Sequence, residues 1–208
     1  MKKSGSSMRT CARPPEPNPT EVDVEKFCVE WARREAKRCE ESDVRLEVAF
    51  EFEKNTSTLT TDEAMLAAIL NALTKNAVEA TEFGGAIRIF AREYTEATAD
   101  APVDENYVTT LKTTSRNENA VWARELGKAR ASNERFLEMG VEDDGPGICA
   151  ETRELLFAPY FSGRQAGRGL GVGLTKARRF ADALGIELRC SDSTLFENGV
   201  CWRVILPF

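Results

Sequence analysis

Four glycines at alternate positions form the part of this chain best suited to holding an anion: Gly167, Gly169, Gly171 and Gly173. They run straight into an amphipathic stretch over residues 175–184. Glycines let backbone N–H groups approach phosphate oxygens, and a helix N-terminus adds a partial positive charge. The spacing matches neither a Walker loop nor a G-x-G-x-x-G fingerprint. Taken alone, it also fits a flexible turn before a helix.

Asn76 lies beside the apolar stripe of a predicted helix over residues 62–80. Its amide oxygen could bind Mg²⁺, which prefers a few protein oxygens together with phosphate oxygens and water. The alternative is a solvated or capping asparagine, which this position also allows.

Asp143 ends a predicted strand and is followed by Gly145 and Gly147. A carboxylate there can accept a hydrogen bond from an exocyclic amine such as that of adenine. The two glycines would let the loop pass close to a flat base. The alternative is an ordinary Asp-Gly-Pro-Gly turn.

Three aromatic residues surround a proline just before the alternating glycines: Phe157, Tyr160 and Phe161. They could anchor a mobile lid, with Arg164 placed to reach a phosphate. They could equally form a hydrophobic plug beneath a loop, and the two interpretations are compatible.

The apolar periodicity predicts the elements that must position these residues. Helices are expected over residues 21–40, 62–80, 151–157 and 175–184, and strands over 44–52, 86–94 and 136–143. Residues 186–190 and 200–206 read as a closing hairpin. Thr60 and Glu63 resemble a capping box, and Gly185 is a candidate C-cap. This order favours an α+β fold with helices on one face of a mixed sheet.

Composition predicts one globular domain with a tail. The proline-rich residues 1–20 read as a disordered tail or linker, and residues 21–208 as the domain. Residues 95–134 are polar and read as an insertion or long hairpin excursion that allows a short helix near residues 121–130.

Net charge, hydropathy and residue composition exclude several classes of protein. A net charge of −6 argues against general nucleic-acid binding, and no apolar run approaches the length of a membrane span. The six cysteines include no C-x-x-C pair, which favours reduced thiols and a cytoplasmic location. Histidine is absent, which excludes Ser-His-Asp and Cys-His catalysis by this chain.

In order, these pieces resemble the nucleotide-binding domain of the sensor histidine kinases, in the wider superfamily that includes type II topoisomerase and heat-shock chaperone ATPases. Residues 73–77 look like the asparagine box, 143–148 like the first glycine box, 157–161 like the phenylalanine box and 169–174 like the second glycine box. The resemblance covers about residues 40–208. It implies a Bergerat-type α/β sandwich with a mixed, mainly antiparallel sheet covered on one face by helices.

The resemblance also implies roles in binding ATP and Mg²⁺. Asn76 would hold Mg²⁺ against the triphosphate, Asp143 would accept from the adenine amine, and Gly145 and Gly147 would shape the base pocket. Residues 162–168 would form the ATP lid. The remaining residues implied to bind the nucleotide are Phe157, Arg164, Gly167, Gly169, Leu170, Gly171, Val172 and Gly173.

The sequence departs from the pattern of this superfamily at two points that bear on whether ATP is hydrolysed or its phosphoryl group transferred. Ala72, one helical turn before Asn76, stands where the hydrolysing branches carry a water-activating glutamate, so phosphoryl transfer is favoured over hydrolysis. With no histidine in the chain, the phosphoacceptor would lie on dimerisation helices elsewhere, in a two-component system with a response regulator downstream. The domain would then be cytoplasmic, including the case of the cytoplasmic part of a membrane-bound sensor. The alternatives are an anti-sigma-type Ser/Thr kinase and a nucleotide-responsive binding regulator.

Overall fold

The structure, a computed structural model, describes residues 16–52, 58–95, 135–153, 155–158 and 172–208. This described part contains seven strands and four helices. In chain order they are β1 (Thr20–Asp23), α1 (Val24–Glu41), β2 (Arg45–Glu51), β3 (Thr58–Thr61), α2 (Glu63–Ala80), β4 (Ala86–Thr95), β5 (Arg135–Asp143), α3 (Ala150–Arg153), α4 (Gly173–Leu184), β6 (Glu187–Asp192) and β7 (Val200–Pro207).

The larger sheet is mixed, with the strand order β2-β4-β5-β7-β6. β2 lies parallel to β4, and every other neighbouring pair is antiparallel. The helices pack on this sheet, with α2 contacting both β5 and α4. The predicted α+β class with a mixed, mainly antiparallel sheet is therefore confirmed.

The side chains of β5 that face the helices alternate along the strand. Leu137, Met139 and Val141 lie in the hydrophobic core, and Asp143 follows the same alternation. The apolar stripe of α2 lies in the same core: Leu66, Ile69, Leu70, Leu73 and Ala77. The strand therefore delivers the carboxylate of Asp143 to the helix side of the sheet.

Helix α1 begins three residues later than predicted because Asp23 caps it. The Asp23 side chain accepts a hydrogen bond from the backbone N–H of Lys26 at 2.9 Å. Trp31 is buried and stacks on Phe50, with the ring centroids 6.4 Å apart. This contact packs α1 against β2 at the edge of the sheet.

A second sheet, formed by β1 and β3, was not predicted. Thr60 lies within β3 opposite Glu21, so the capping box expected for Thr60 and Glu63 is wrong. Asp62 is the N-cap of α2 instead, with its Oδ1 accepting from the backbone N–H of Met65 at 2.9 Å. The short β3 strand occupies the residues that a capping box would need.

The residues that flank segment 96–134 adjoin each other. Thr95 at the end of β4 lies opposite Arg135 at the start of β5 in an antiparallel pair. Residues 96–134, with the short helix expected near 121–130, lie outside the described residues. The division into a tail over residues 1–20 and a domain over 21–208 stays a prediction.

The C-terminal elements follow the expected order. Helix α4 begins at Gly173, two residues before the predicted start, and Gly185 ends it in the left-handed conformation with φ of 67°. β6 and β7 form the expected antiparallel pair. Helix α3 is shorter than predicted.

None of the helices in the described part is both long and apolar enough to cross a membrane.

Candidate functional site

Asn76 lies in the last two turns of α2 and is half-buried. Its neighbour Ala77 is fully buried in the core, which fixes the direction in which this turn of the helix faces. Lys75 and Glu79, on the exposed side, form an ion pair at 3.8 Å. The position of Asn76 at the border between core and surface suits a ligand-binding amide, and its role in binding Mg²⁺ stays a prediction.

Asp143 ends β5 and is 1% exposed. Its Oδ1 accepts hydrogen bonds from the backbone N–H of Gly145 at 3.0 Å and of Val200 at 3.3 Å. Its Oδ2 is buried and has no hydrogen-bond partner among the described residues. A buried carboxylate oxygen without a donor is costly, so this atom fits an incoming N–H such as the exocyclic amine of adenine.

Burial raises the pKa of Asp143 to about 6. The hydrogen bonds from Gly145 and Val200 lower that pKa, while the nearby carboxylates of Asp144 and Glu142 raise it. Removal from water disfavours the charged form more than two backbone donors favour it. A further donor from a ligand would favour the charged form and so stabilise the site.

Gly145 brings the first glycine box against the end of α2. A Cβ at Gly145 would lie 3.0 Å from the carbonyl oxygen of Ala80 and 2.8 Å from Oδ1 of Asp143. Ala80 is four residues beyond Asn76, so the loop after β5 and the helix of Asn76 adjoin. Gly147 has φ of 75°, which favours glycine.

Asp144 fastens the same loop to β4. Its Oδ2 accepts from the backbone N–H of Ala86 at 2.7 Å, and its own N–H donates to the carbonyl of Ala86 at 3.2 Å. These two bonds hold the end of β5 beside the start of β4, so they fix where the glycine box begins.

Phe157 anchors the turn after α3 to the body of the domain. Its ring meets the buried Trp202 edge-on, with centroids 6.1 Å apart, and the Arg178 guanidinium lies 5.9 Å from the Phe157 centroid. The Thr175 hydroxyl donates to the carbonyl oxygens of Phe157 at 3.3 Å and Ala158 at 3.4 Å. These contacts support the hydrophobic-plug interpretation, and a contact of Phe157 with nucleotide stays a prediction.

The N-terminus of α4 is described from Val172 onward. Val172 is 46% exposed and makes no side-chain capping bond, and a Cβ at Gly173 would meet nothing within 4 Å. Among the described residues no side chain caps the first N–H groups of this helix, and their role in binding phosphate stays a prediction. The other predicted nucleotide contacts of this region lie outside the described residues: Arg164, Gly167, Gly169, Leu170 and Gly171.

Two residues near Asp143 were missed by sequence reasoning. Glu142 is buried and accepts hydrogen bonds from the loop between β6 and β7. Gly199 has φ of 118°, and a Cβ there would lie 1.8 Å from the carbonyl oxygen of Asp143. The Asn-Gly pair at 198–199 was a turn signal, but nothing in the sequence tied that turn to β5.

Sequence comparison identifies the family. The family described as "Histidine kinase-, DNA gyrase B-, and HSP90-like ATPase" matches residues 61–208, a span that includes Asn76, Asp143 and the second glycine box. The chain belongs to this family. The resemblance drawn from the four sequence boxes is thereby confirmed.

The relatives found by sequence include histidine kinases. Histidine kinase CKI1 of Arabidopsis thaliana is 28% identical over 153 residues, which are 68% of this chain and 14% of that protein. Sensor kinase CckA of Brucella abortus is 30% identical over 98 residues, 47% of this chain and 10% of that protein. The chain thus spans only a small part of the curated relatives it matches.

Solved structures share the fold. The catalytic domain of histidine kinase ThkA superposes with a TM-score of 0.60 at 20% identity, covering 91% of this chain and 95% of that one. Full-length ShkA in complex with AMPPNP gives a TM-score of 0.61 at 19% identity, covering 92% of this chain and 31% of that one. Both likenesses are at the level of the fold.

Proposed function

We propose that this chain is the ATP-binding catalytic domain of a two-component histidine kinase, which transfers the γ-phosphoryl group of ATP to a histidine outside the chain. The observation that carries the proposal is the buried carboxylate of Asp143. One of its oxygens is occupied by two backbone donors, while the other has no partner among the described residues. That arrangement suits recognition of the adenine amine.

The chain's own residues would divide the work of binding. Asp143 would orient the base, the N-terminus of α4 would receive phosphate oxygens, and the Asn76 amide oxygen would bind Mg²⁺. No group of three or more His, Cys, Asp or Glu side chains in the described part could hold a metal ion. The proposed Mg²⁺ site consists of the Asn76 amide oxygen together with phosphate and water oxygens. Bound Mg²⁺ supplies positive charge to neutralise the phosphates during transfer.

Ala72 favours transfer over hydrolysis. It lies on α2 one turn before Asn76, and its methyl side chain cannot activate a water molecule. Phosphoryl transfer asks mainly for positioning and charge stabilisation, which backbone N–H groups and Mg²⁺ provide.

The acceptor and the downstream partner follow from the same proposal. The chain contains no histidine, so a phosphohistidine must form on another segment, and dimerisation helices are the proposed source. A response regulator is the proposed recipient, supported by a solved structure of ThkA in complex with the response regulator TrrA. The proposed location is the cytoplasm, where ATP is available.

Transfer of labelled phosphate from Mg-ATP to a histidine-bearing two-helix segment tests the proposal. We expect transfer by the wild-type chain and loss in Asn76→Asp, because a carboxylate there places a negative charge beside the phosphates. Asn71→Asp is the matched control, because Asn71 is exposed on the same helix and its side-chain oxygen accepts a hydrogen bond from Arg38. Equal transfer by wild type and Asn76→Asp, or steady phosphate release without transfer, would contradict the proposal.

A further inference from the structure

The loop between β6 and β7, residues 193–199, is fastened to β5 by one carboxylate. Glu142 is 4% exposed, and its Oε1 accepts from the backbone N–H groups of Thr194 at 2.6 Å and Leu195 at 3.1 Å. The same oxygen accepts from the hydroxyls of Ser193 at 2.9 Å and Thr194 at 3.2 Å. Hydrogen bonds to a charged acceptor are about twice as strong as neutral ones, so Glu142 is a firm anchor for the loop.

The loop is also closed on itself. The backbone N–H of Ser193 donates to the carbonyl of Gly199 at 3.1 Å, and the Ser193 hydroxyl oxygen accepts from the N–H of Phe196 at 2.9 Å. The anchored end of the loop is thereby tied to its far end, so a displacement at Glu142 is passed to Gly199.

The far end of the loop lies against Asp143. The φ of 118° at Gly199, with only 1.8 Å between a notional Cβ and the Asp143 carbonyl oxygen, shows that the two backbones are in direct contact. The next residue, Val200, donates its N–H to Oδ1 of Asp143 at 3.3 Å. Together with the N–H of Gly145, this donor holds Oδ1 and so sets the rotation of the Asp143 carboxylate.

We propose that Glu142 is a positioning residue for the nucleotide site. By anchoring residues 193–199, it keeps Val200 on Oδ1 of Asp143 and thereby leaves Oδ2 aimed at the exocyclic amine of the purine. Adjacent side chains in a strand point to opposite faces of the sheet, so Glu142 acts through the loop without touching nucleotide. The proposal rests on the proposed function, since it concerns the base-recognising carboxylate.

Two variants separate the charge of Glu142 from its anchoring. Glu142→Gln removes the charge but keeps a side-chain oxygen that can accept the N–H groups of Thr194 and Leu195. Glu142→Ala removes both. Glu138→Gln is the matched control, because Glu138 lies on the same face of β5, is also 4% exposed, and instead pairs with Arg92 at 2.5 Å and Arg203 at 3.2 Å.

Titration of the Asp143 carboxyl carbon by NMR, in the protein without nucleotide, is the first readout. The negative charges of Glu142 and Asp144 contribute to the raised pKa of Asp143, so Glu142→Gln lowers the midpoint through charge alone. In Glu142→Ala the released loop also withdraws the Val200 donor from Oδ1, and the loss of a hydrogen bond that lowers the pKa places the midpoint above that of Glu142→Gln. Glu138→Gln leaves the midpoint at its wild-type position.

The affinity for Mg-ATP is the second readout. We expect Glu142→Ala to bind about tenfold more weakly than Glu142→Gln, because the rotated carboxylate forms a poorer hydrogen bond with the amine. Identical midpoints and identical affinities for the Gln and Ala variants would overturn the proposal. If wild type binds no Mg-ATP, the proposed function fails, while the titration still decides whether Glu142 positions Asp143.

A milder double variant guards against loss of folding. Ser193→Ala with Thr194→Ala removes two hydroxyl donors to Glu142 and keeps both backbone donors. It should raise the Asp143 midpoint above the wild-type value, because it loosens the Val200 donor and leaves the charge of Glu142 in place. An unshifted midpoint in this folded variant would overturn the proposal.

Discussion

At the residue scale, Asp143 is held in a place where its charge opposes folding. It is 1% exposed, and burial raises its pKa from the ordinary value of 3.8 to about 6. A carboxyl with a raised pKa contributes its full stability below about pH 4 and loses it as the pH rises through about 6. This is the expected character of a group that functions when a ligand supplies the missing donor.

Asp143→Asn should therefore change how stability depends on pH. The Asn oxygen can take the two backbone donors of Gly145 and Val200, and no charge is buried. We expect the stability of the variant relative to wild type to increase by about 2 kcal/mol between about pH 4 and pH 7. Urea denaturation at several pH values measures the difference, and a difference that does not change with pH would contradict the raised pKa.

Gly199 also acts at this scale, through the space it leaves for Asp143. Gly199→Ala would place a methyl group 1.8 Å from the Asp143 carbonyl oxygen, at a residue whose φ is 118°. We therefore expect the free energy of unfolding to fall by about 2–4 kcal/mol. Gly173→Ala is the control, because a Cβ there meets nothing within 4 Å and alanine favours a helix. Denaturation of both variants without nucleotide measures the two free energies of unfolding, and equal values would contradict the close backbone contact.

At the scale of elements, the N-terminus of α2 is tied to the chain that enters the domain. Asp62 caps the helix through Met65, and its second oxygen accepts from the backbone N–H of Asn18 at 2.9 Å. These hydrogen bonds, from Asn18 and then Met65, lower the pKa of Asp62. The helix that carries Asn76 is thereby held at its first turn by residues from the start of the described chain.

Removing this cap should weaken α2. Asp62→Ala is expected to cost about 1 kcal/mol at neutral pH, while Asp62→Ser keeps a capping oxygen and costs less. Because the pKa of Asp62 is lowered, its contribution is present above its ordinary pKa and is lost as the pH falls through the folded value. Thermal unfolding at neutral and acidic pH tests this, and an Ala variant as stable as wild type at neutral pH would rule out the cap.

At the scale of the whole molecule, regular patterns in the sequence predicted most of the large sheet. The alternation in residues 136–143 and the helical stripe in 62–80 are local signals, and both elements formed where expected. The glycine at position 185 likewise marked the end of α4 through a local conformational need. Elements with such local patterns can be predicted from the sequence, because burial of one face depends only on spacing along the chain.

The features that were missed depend on partners distant in the sequence. β1 and β3 have four residues each and pair only in the folded state, with Thr20 opposite Thr61. Glu142 bonds to Ser193, 51 residues away. No periodicity encodes such pairs, so the anchoring of the loop to β5 could only be seen in three dimensions. The predicted Mg²⁺ ligand Asn76 and the phosphate contacts stay predictions.

Ligand binding should stabilise the whole domain if the site is intact. Mg-ATP at about 100 times its dissociation constant is expected to add about 2.7 kcal/mol, which raises the melting temperature by roughly 5–10 °C. Asn76→Asp should show little of this shift, because its added charge disfavours the phosphates. Differential scanning calorimetry gives the comparison, and an equal shift in both proteins would count against Asn76 as a ligand residue.

The most direct measurement is calorimetric titration of Mg-ATP and Mg-ITP into wild type and Asp143→Asn, above the pKa of Asp143. In the variant, the amide nitrogen replaces Oδ2 and meets the adenine amine donor to donor, whereas the 6-oxo group of ITP can accept from it. We predict that wild type prefers ATP, and that the variant loses ATP affinity about ten- to a hundredfold while ITP affinity falls less. Wild-type affinity for Mg-ATP in Asp143→Asn would contradict the assignment of Asp143 as the adenine-binding residue.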